Sequence, residues 1–242
     1  MPTYANSPQV NFTHAVGTSE VKNTVKSLVL DTINAVAPEV DFTHRTLDIQ
    51  LTRANTGATA GHLKIGFING QVQMATMTMM VNMKRVDSEQ TIIHETIHWL
   101  QFQLNVATAV RHEGRYVYLW DNATGALLNA RGQGDNALLN MMTEGRTWNA
   151  TAPTLGTAQG VRVHRHSTEM KSTHGRLNYY LDPAESQAHR LALPIAKRLG
   201  QPQAVLDSCL SMAGKQMNAV KESKKPTRGM RIMDEMWTVE KR

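Results

Sequence analysis

Hydrophobic and polar residues repeat along the first half of the chain with two different periods. From Ser19 to Val36 the apolar residues recur every three or four positions, which predicts an amphipathic helix that Pro38 stops. From residue 46 to residue 83 they recur mainly at every second position, which predicts strands at 46–53, 62–68 and 72–83. Asn69-Gly70, between the last two strands, is a typical hairpin sequence. A helix followed by antiparallel strands indicates a small α+β domain.

The helical period returns around His94, Glu95 and His98, which form an H-E-x-x-H sequence. Asp87 and Gln90 make a capping box ahead of it, and an apolar face follows at Ile93, Ile97, Leu100 and Leu104. Residues four apart in a helix project from one face, so both imidazoles can ligate one zinc ion. Glu95 lies beside them, where it can take a proton from water on the zinc. A helix that is merely buried needs no pair of histidines around a glutamate, so we expect this helix to bind a zinc ion.

The chain beyond this helix is less regular. Residues 116–120 and 126–130 flank the turn-rich stretch 121–125, and this pattern predicts another hairpin. Residues 145–175 are rich in Gly, Thr and Ala, and we interpret them as a loop-rich insert. The insert contains three histidines that are more typical of a basic surface patch than of a metal site: His164, His166 and His174.

Length and composition favour one domain. The 242 residues, 41% of them hydrophobic, can bury a single core. We place the domain at 18–214, with a loose arm at 1–17 and a basic tail at 215–242. Cys209 is the only cysteine, which excludes an intrachain disulfide and a cysteine-based zinc cluster and fits a reducing compartment. The sequence shows neither a secretory signal nor an apolar run of bilayer length, so we expect a cytoplasmic protein without membrane contact.

The basic tail carries most of the net charge of +6. Eight of its residues are Lys or Arg and four are Asp or Glu. Such a segment can make weak contact with nucleic acid through the phosphate groups. A solvated terminal segment has the same composition, and this is the simpler interpretation.

A catalytic zinc site needs a third protein ligand, and Glu185 is the first candidate. Asp182 as N-cap and Pro183 at the first helical position predict a helix that starts just before Glu185. The same pattern would also explain Glu185 as a capping residue. The neighbouring Tyr179 and Tyr180 favour the functional interpretation, because a phenol can donate to the oxyanion that develops on a scissile carbonyl.

Two short sequences resemble a known family. They are the H-E-x-x-H sequence with Trp99 and Gln101 after it, and Y-x-x-D-P-x-E-x-x-A from Tyr179 to Ala188. Together they resemble the gluzincin-type metallopeptidases that bacteriophages and mobile elements often encode. The resemblance implies a zincin-like fold, in which a small antiparallel sheet packs on the active-site helix and further helices follow.

The same resemblance implies His94, His98 and Glu185 as zinc ligands and Glu95 as the general base. The chain departs from the family pattern at Gln187, where a second acid is common. It also carries an unusually long insert between the two sequences.

Two other histidines compete with Glu185 as the third ligand. His189 follows Glu185 by one turn and could be a ligand, a group that orients a ligand or a substrate-binding group. His112 lies fourteen residues after His98, with Tyr116 four residues further on. This arrangement is similar to that of the SprT-like metalloproteases, which act on DNA-bound protein and use a histidine there. That resemblance requires a helix, however, and His112 precedes a predicted strand.

We therefore expect a zinc-dependent metalloendopeptidase that cleaves protein or peptide substrates. Glu95 would deprotonate the attacking water, and Tyr179, Tyr180 or His189 would stabilise the oxyanion. Metallopeptidases of this plan pair an extended substrate with an edge strand, and we assign that role to the strand at 72–83. The alternatives are a SprT-like, nucleic-acid-associated protease and a phage virion or structural protein that retains a zincin fold. We expect to find the protein in the cytoplasm of a bacterial host cell or in the virion.

Overall fold

The structure is a computed structural model that describes residues 4–13, 16–53, 60–68, 71–83, 88–112, 115–134, 161–163, 179–180 and 182–223. Within these residues the chain forms five helices and nine strands. The helices are α1 (Ser19–Val36), α2 (Ser88–Gln103), α3 (Asn122–Gln133), α4 (Pro183–Arg198) and α5 (Gln203–Ser223). The strands are β1 (Gln9–Phe12), β2 (Thr46–Thr52), β3 (Gly61–Lys64), β4 (Phe67–Ile68), β5 (Gln71–Val72), β6 (Thr76–Asn82), β7 (Ala107–His112), β8 (Arg115–Trp120) and β9 (Val161–Val163).

One sheet is mixed and has four strands in the order β1-β2-β6-β3. Strands β1, β2 and β6 run parallel, and β3 runs antiparallel to β6. β1 and β2 can run parallel because α1 lies between them and returns the chain to the end of the sheet where β1 began. The α+β class is confirmed, but the antiparallel sheet predicted beside the active-site helix is wrong, since this sheet is mixed.

The N-terminal arm contains a strand of this sheet and is not loose over its whole length. Residues 9–12 form β1, which pairs with β2 along its full length. Val10 is buried in the core, and the Tyr4 hydroxyl donates to Asp31 Oδ1 of α1 at 2.7 Å. A four-residue strand with one buried side chain is too short to show a period, which is why the sequence predicted a loose arm.

The hairpin predicted at residues 69–70 is supported by the pairing around it. β4 and β5 pair antiparallel, with Phe67 opposite Val72 and Ile68 opposite Gln71, while the two turn residues lie outside the described part. The strands predicted at 62–68 and 72–83 are each divided. β3 and β6 join the mixed sheet, whereas β4 and β5 join an antiparallel sheet in the order β4-β5-β7-β8-β9.

The pairing of the third predicted strand, at 72–83, changes which strand lies at the edge of the mixed sheet. β6 lies between β2 and β3, so the segment predicted at 72–83 does not provide an edge. Among the described strands, β1 and β3 lie at the two edges of this sheet, and β3 is the one that contacts α2. An edge strand available to a substrate must therefore be sought at residues 61–64.

The second predicted hairpin, around residues 121–125, is wrong, because this stretch begins helix α3. Asp121 is the N-cap, and its Oδ1 accepts from the backbone N–H of Thr124 at 2.8 Å. Gly125 lies against the ring of Trp120, where an added Cβ would meet Cζ2 at 2.9 Å. Asp, Asn, Thr and Gly suit a turn and a helix start equally well. The contact between Gly125 and Trp120 depends on the folded chain.

The core forms around α2, which contacts α1, α4 and α5 as well as strands β3 and β6. Its apolar face is fully buried at Ile93, Ile97 and Leu100. The same core takes the alternate residues of β2 and β6, which are Leu47, Ile49, Leu51, Met77, Met79 and Val81. Trp99 packs edge-on against Phe42, with ring centroids 5.1 Å apart. This packing brings the beginning of α4 to the histidine-bearing face of α2.

The C-terminal boundaries differ partly from the sequence prediction. Helix α5 continues to Ser223, so the predicted basic tail at 215–242 begins inside a helix. Residues 224–242 lie outside the described part, as does the predicted insert at 145–175 apart from strand β9. None of the helices in the described residues combines the length and the apolar character needed to cross a bilayer.

Candidate metal centre

Helix α2 places His94 and His98 on one face, as their four-residue spacing predicts. Their Nε2 atoms lie 3.0 Å apart, and the two ring planes are almost perpendicular, at 89°. Both side chains are largely shielded from solvent. Two imidazole nitrogens therefore converge on one point at the surface of this helix.

Helix α4 brings Glu185 to the same point. Asp182 caps the helix, because its Oδ1 accepts from the backbone N–H groups of Ala184 and Glu185 at 2.6 and 3.3 Å. Glu185 Oε2 lies 3.2 Å from His94 Nε2 and 3.4 Å from His98 Nε2. In a capping box, the Glu185 carboxylate would accept a hydrogen bond from the backbone N–H of Asp182. That N–H donates to the carbonyl of Tyr179. Glu185 therefore has contacts that a purely capping glutamate would not need.

The two histidines and Glu185 form a buried group that could hold a metal ion. One ligand atom from each residue lies within 4.8 Å of the other two, a property that we find only for this group in the described part of the chain. A carboxylate and two imidazoles are a donor set that divalent transition metals bind.

The charges of the three residues depend on one another. Burial alone would raise the pKa of Glu185, but the two histidines outweigh it and hold that pKa well below its ordinary value. Burial likewise acts to lower the pKa of His98, while Glu185 and Glu95 outweigh it and raise this pKa to about 9. In the absence of metal, His98 therefore holds a proton that a metal ion has to displace.

Glu95 is buried beside the two histidines and beneath strand β3. The backbone N–H of Leu63 donates a hydrogen bond to its carboxylate. Burial raises the pKa of Glu95, although the two histidines counteract part of the effect. Gly61 allows this close approach, because an added Cβ would lie 2.6 Å from Thr91 Cγ2 and 3.1 Å from Glu95 Cγ. A carboxylate with a raised pKa and a fixed orientation is suited to accepting and returning a proton.

Tyr179 and Tyr180 lie next to this group, as the sequence predicts, but they differ in their contacts. The hydroxyl of Tyr179 donates to Glu185. Burial, together with the charge of Glu185, raises the pKa of Tyr179 well above its ordinary value. The two phenol rings are 5.2 Å apart, and both are half-buried. Tyr179 therefore orients the Glu185 carboxylate in this structure.

His189 is also next to the group and packs between the tyrosines and His94. Its ring centroid lies 5.7 Å from that of Tyr179 and 5.6 Å from that of Tyr180. Only 1% of the residue is exposed. Its ring centroid lies 4.3 Å from that of His94. Burial, with the charge of His94 as the next cause, lowers the pKa of His189 to about 3, so its ring is neutral.

His112 occupies the last position of β7, opposite Arg115 of β8. Its backbone is therefore in a strand, which the sequence did not predict, since it placed His112 ahead of the strand at 116–120. The side chain of His112 lies outside the described part of the chain, and so do His164, His166 and His174. The use of His112 as a third ligand stays a prediction.

Two glutamines make contacts that the sequence did not reveal. Gln101 lies next to His98, and its Oε1 is 2.8 Å from His98 Nδ1. Gln187 lies behind Gln101, with 3.0 Å between Gln187 Oε1 and Gln101 Nε2. The only sequence signals were the spacing of three residues between His98 and Gln101 and the unusual Gln187 after the second motif.

Comparison of the chain with protein-family models, with curated proteins and with solved structures returns no match. The arrangement of residues around His94, His98 and Glu185 is therefore the basis for assigning a function.

Proposed function

We propose that the chain is a zinc-dependent metalloendopeptidase with a zincin-like fold. The observation that carries the proposal is the position of Glu185 Oε2, 3.2 and 3.4 Å from the Nε2 atoms of His94 and His98. Atoms that bind one tetrahedral zinc ion at ordinary bond lengths lie about 3.3–3.6 Å from one another, and the three separations here, 3.0, 3.2 and 3.4 Å, reach that range with shifts of a few tenths of an ångström. Three protein ligands leave one position for water, which is the arrangement of catalytic zinc sites, whereas structural sites are closed by four.

Bound zinc would supply a Lewis acid that acidifies water and polarises a peptide carbonyl. Glu95, which follows His94 on α2, would accept a proton from the attacking water and later return it to the leaving amine. Its raised pKa and the hydrogen bond from Leu63 support this role. We assign the oxyanion contact to Tyr180, because the Tyr179 hydroxyl donates to Glu185 and His189 is almost completely buried.

Strand β3 supports an extended peptide as the substrate. It lies at one edge of the mixed sheet in the described part of the chain, and its residue Leu63 contacts the proposed general base. A peptide that added to this edge would form backbone hydrogen bonds and run past Glu95. This assignment replaces the strand at 72–83, which the sequence had suggested.

The test of the proposed function is peptide hydrolysis by the zinc-loaded variants Glu95→Gln and Glu89→Gln. We expect Glu95→Gln to keep its zinc and to lose about 10²–10⁴-fold in kcat, because it removes the proton acceptor. Glu89 is on the same helix, and its carboxylate accepts a hydrogen bond from the hydroxyl of the neighbouring Ser88. Glu89→Gln should therefore keep wild-type activity. Full activity of Glu95→Gln would contradict the proposed mechanism.

The alternatives depend on parts of the chain outside the described residues. A SprT-like protease needs the His112 side chain as a ligand, and nucleic-acid contact would use residues 224–242 of the basic tail. Both stay predictions, as do an origin in a bacteriophage, a role as a virion protein and a cytoplasmic location.

A further inference from the structure

A series of buried amide groups connects His98 of α2 to helix α3. Gln101 Oε1 lies 2.8 Å from His98 Nδ1, and Gln101 Nε2 lies 3.0 Å from the carbonyl oxygen of Ala184. The same Nε2 is 3.0 Å from Gln187 Oε1, and Gln187 Nε2 is 2.7 Å from the carbonyl oxygen of Gly125. Both glutamines are fully buried. Water therefore cannot substitute easily for any of these contacts.

Two backbone carbonyls determine the direction of each hydrogen bond in this series. The carbonyl oxygens of Gly125 and Ala184 can only accept. Gln187 must therefore turn its NH₂ group to Gly125 and its oxygen to Gln101. Gln101 must turn its NH₂ group to Ala184 and Gln187, which leaves its oxygen facing His98. An amide oxygen cannot donate, so His98 has to carry a proton on Nδ1.

The protonation of Nδ1 decides what the other ring nitrogen of His98 can do. A neutral imidazole with its proton on Nδ1 has a lone pair on Nε2, and Nε2 is the atom that lies 3.4 Å from Glu185 Oε2. His94 differs in this respect, because its Nδ1 is buried and has no hydrogen-bond partner in the described part of the chain. The series of amides therefore acts on one of the two histidines.

We propose that Gln101 and Gln187 are positioning residues that hold His98 in the tautomer and ring orientation needed to bind a metal through Nε2. The proposal rests on the metal centre of the proposed function. A ligating histidine generally donates its second N–H to a carboxylate, a backbone carbonyl or water, and a side-chain amide takes that place here. Gln187, the departure from the gluzincin pattern, then has a role, because it helps to orient Gln101.

The test measures the zinc affinity of the full chain by competition with a chromophoric chelator. The variants are Gln101→Leu, Gln187→Leu and the control Gln103→Leu. Gln103 is a buried glutamine of the same helix, but its Nε2 donates to the carbonyl of Met74 at 2.9 Å. We expect Gln101→Leu to weaken zinc binding about 10–100-fold. Gln187→Leu should weaken it less, since Ala184 still orients Gln101, and Gln103→Leu should keep wild-type affinity even if it unfolds more easily.

A second measurement separates positioning from general loss of structure. In the zinc-loaded protein with ¹⁵N-labelled histidine, the hydrogen bond to Gln101 should make the Nδ1–H proton of His98 exchange slowly with water. This signal should persist in Gln103→Leu and disappear through exchange in Gln101→Leu. If Gln101→Leu does not fold, Gln187→Leu gives a weaker form of the comparison, in which the Nδ1–H proton should exchange faster than in the wild type without disappearing.

The possible failures have different meanings. If Gln101→Leu and Gln187→Leu fold and keep both the wild-type zinc affinity and the Nδ1–H signal of His98, the positioning role is overturned. The metal centre itself would remain in place. A wild-type chain that binds no zinc would overturn the metal centre and this inference with it.

Discussion

The ring of His189 lies against the ring of His94, with centroids 4.3 Å apart and planes tilted by 34°. Neither ring nitrogen of His189 has a hydrogen-bond partner in the described part of the chain, and the ring is neutral because its pKa is lowered to about 3. His189 therefore supports His94 by packing, whereas the amide of Gln101 supports His98 by a hydrogen bond. The two histidines of one motif are held in place in different ways.

This packing role predicts that His189→Phe keeps zinc affinity. The substitution preserves a flat ring and removes two buried nitrogens, so we expect the free energy of unfolding to rise by about 1 kcal/mol. His189→Ala should lower it by about 2–4 kcal/mol through the cavity beside His94 and should weaken zinc binding. Urea unfolding and chelator competition measure both effects. If His189→Phe bound zinc normally but lost peptide hydrolysis, the ring would be donating to the substrate, as the sequence first suggested.

The metal-free protein should lose stability as the pH rises from about 6.5 to about 9. The pKa of His98 is raised from 6.5 to about 9, chiefly by Glu185 acting against burial. A raised pKa contributes stability below the unfolded value of 6.5, and this contribution is lost as the pH passes through the folded value. Thermal unfolding of the metal-free chain across this range measures the effect. Glu185→Gln should flatten the curve, and an unchanged curve in that variant would contradict the pairing of Glu185 with His98.

Gly61→Ala should separate β3 from α2. The new Cβ would lie 2.6 Å from Thr91 Cγ2 and 2.9 Å from the backbone oxygen of Met80, and backbone cannot yield as a flexible side chain can. We expect a loss of about 1–3 kcal/mol in the free energy of unfolding and a lower kcat/KM for peptides, since β3 positions Glu95.

The control for this prediction is Gly214→Ala in helix α5, where an added Cβ meets nothing within 4 Å. The helical propensity of alanine should make this variant more stable by about 0.5–1 kcal/mol. Urea unfolding of the two variants should therefore give changes of opposite sign. A neutral Gly61→Ala would mean that β3 does not pack closely against α2.

Some features could be predicted from the sequence because their signals are local. Helix α1 has the predicted bounds, Ser19–Val36, since its apolar period lies within the helix and the stop at Pro38 lies only two residues beyond it. The convergence of His94 and His98 follows from their spacing alone. Asp182 and Pro183 likewise predicted the start of α4, although only the folded chain brings Glu185 to the histidines.

Other features were out of reach because they depend on contacts between distant segments. The direction of β1 and β2 depends on how α1 crosses between them, and β1 is too short to show a period. The stretch from Asp121 to Gly125 suits a turn as well as a helix. Gln101 and Gln187 are 86 residues apart, so no local pattern could indicate that their amides meet. The sequence therefore predicted candidate metal ligands and missed the amide groups next to one of them.

The most direct test of the metal centre is the zinc content per chain of the wild-type protein and of Glu185→Ala and His112→Ala, each purified in the presence of zinc and shown by circular dichroism to be folded. We expect one zinc ion per chain in the wild type and in His112→Ala, and a large loss in Glu185→Ala. Zinc retained by Glu185→Ala and lost from His112→Ala would contradict the account. It would also make DNA-bound protein the first substrate to test.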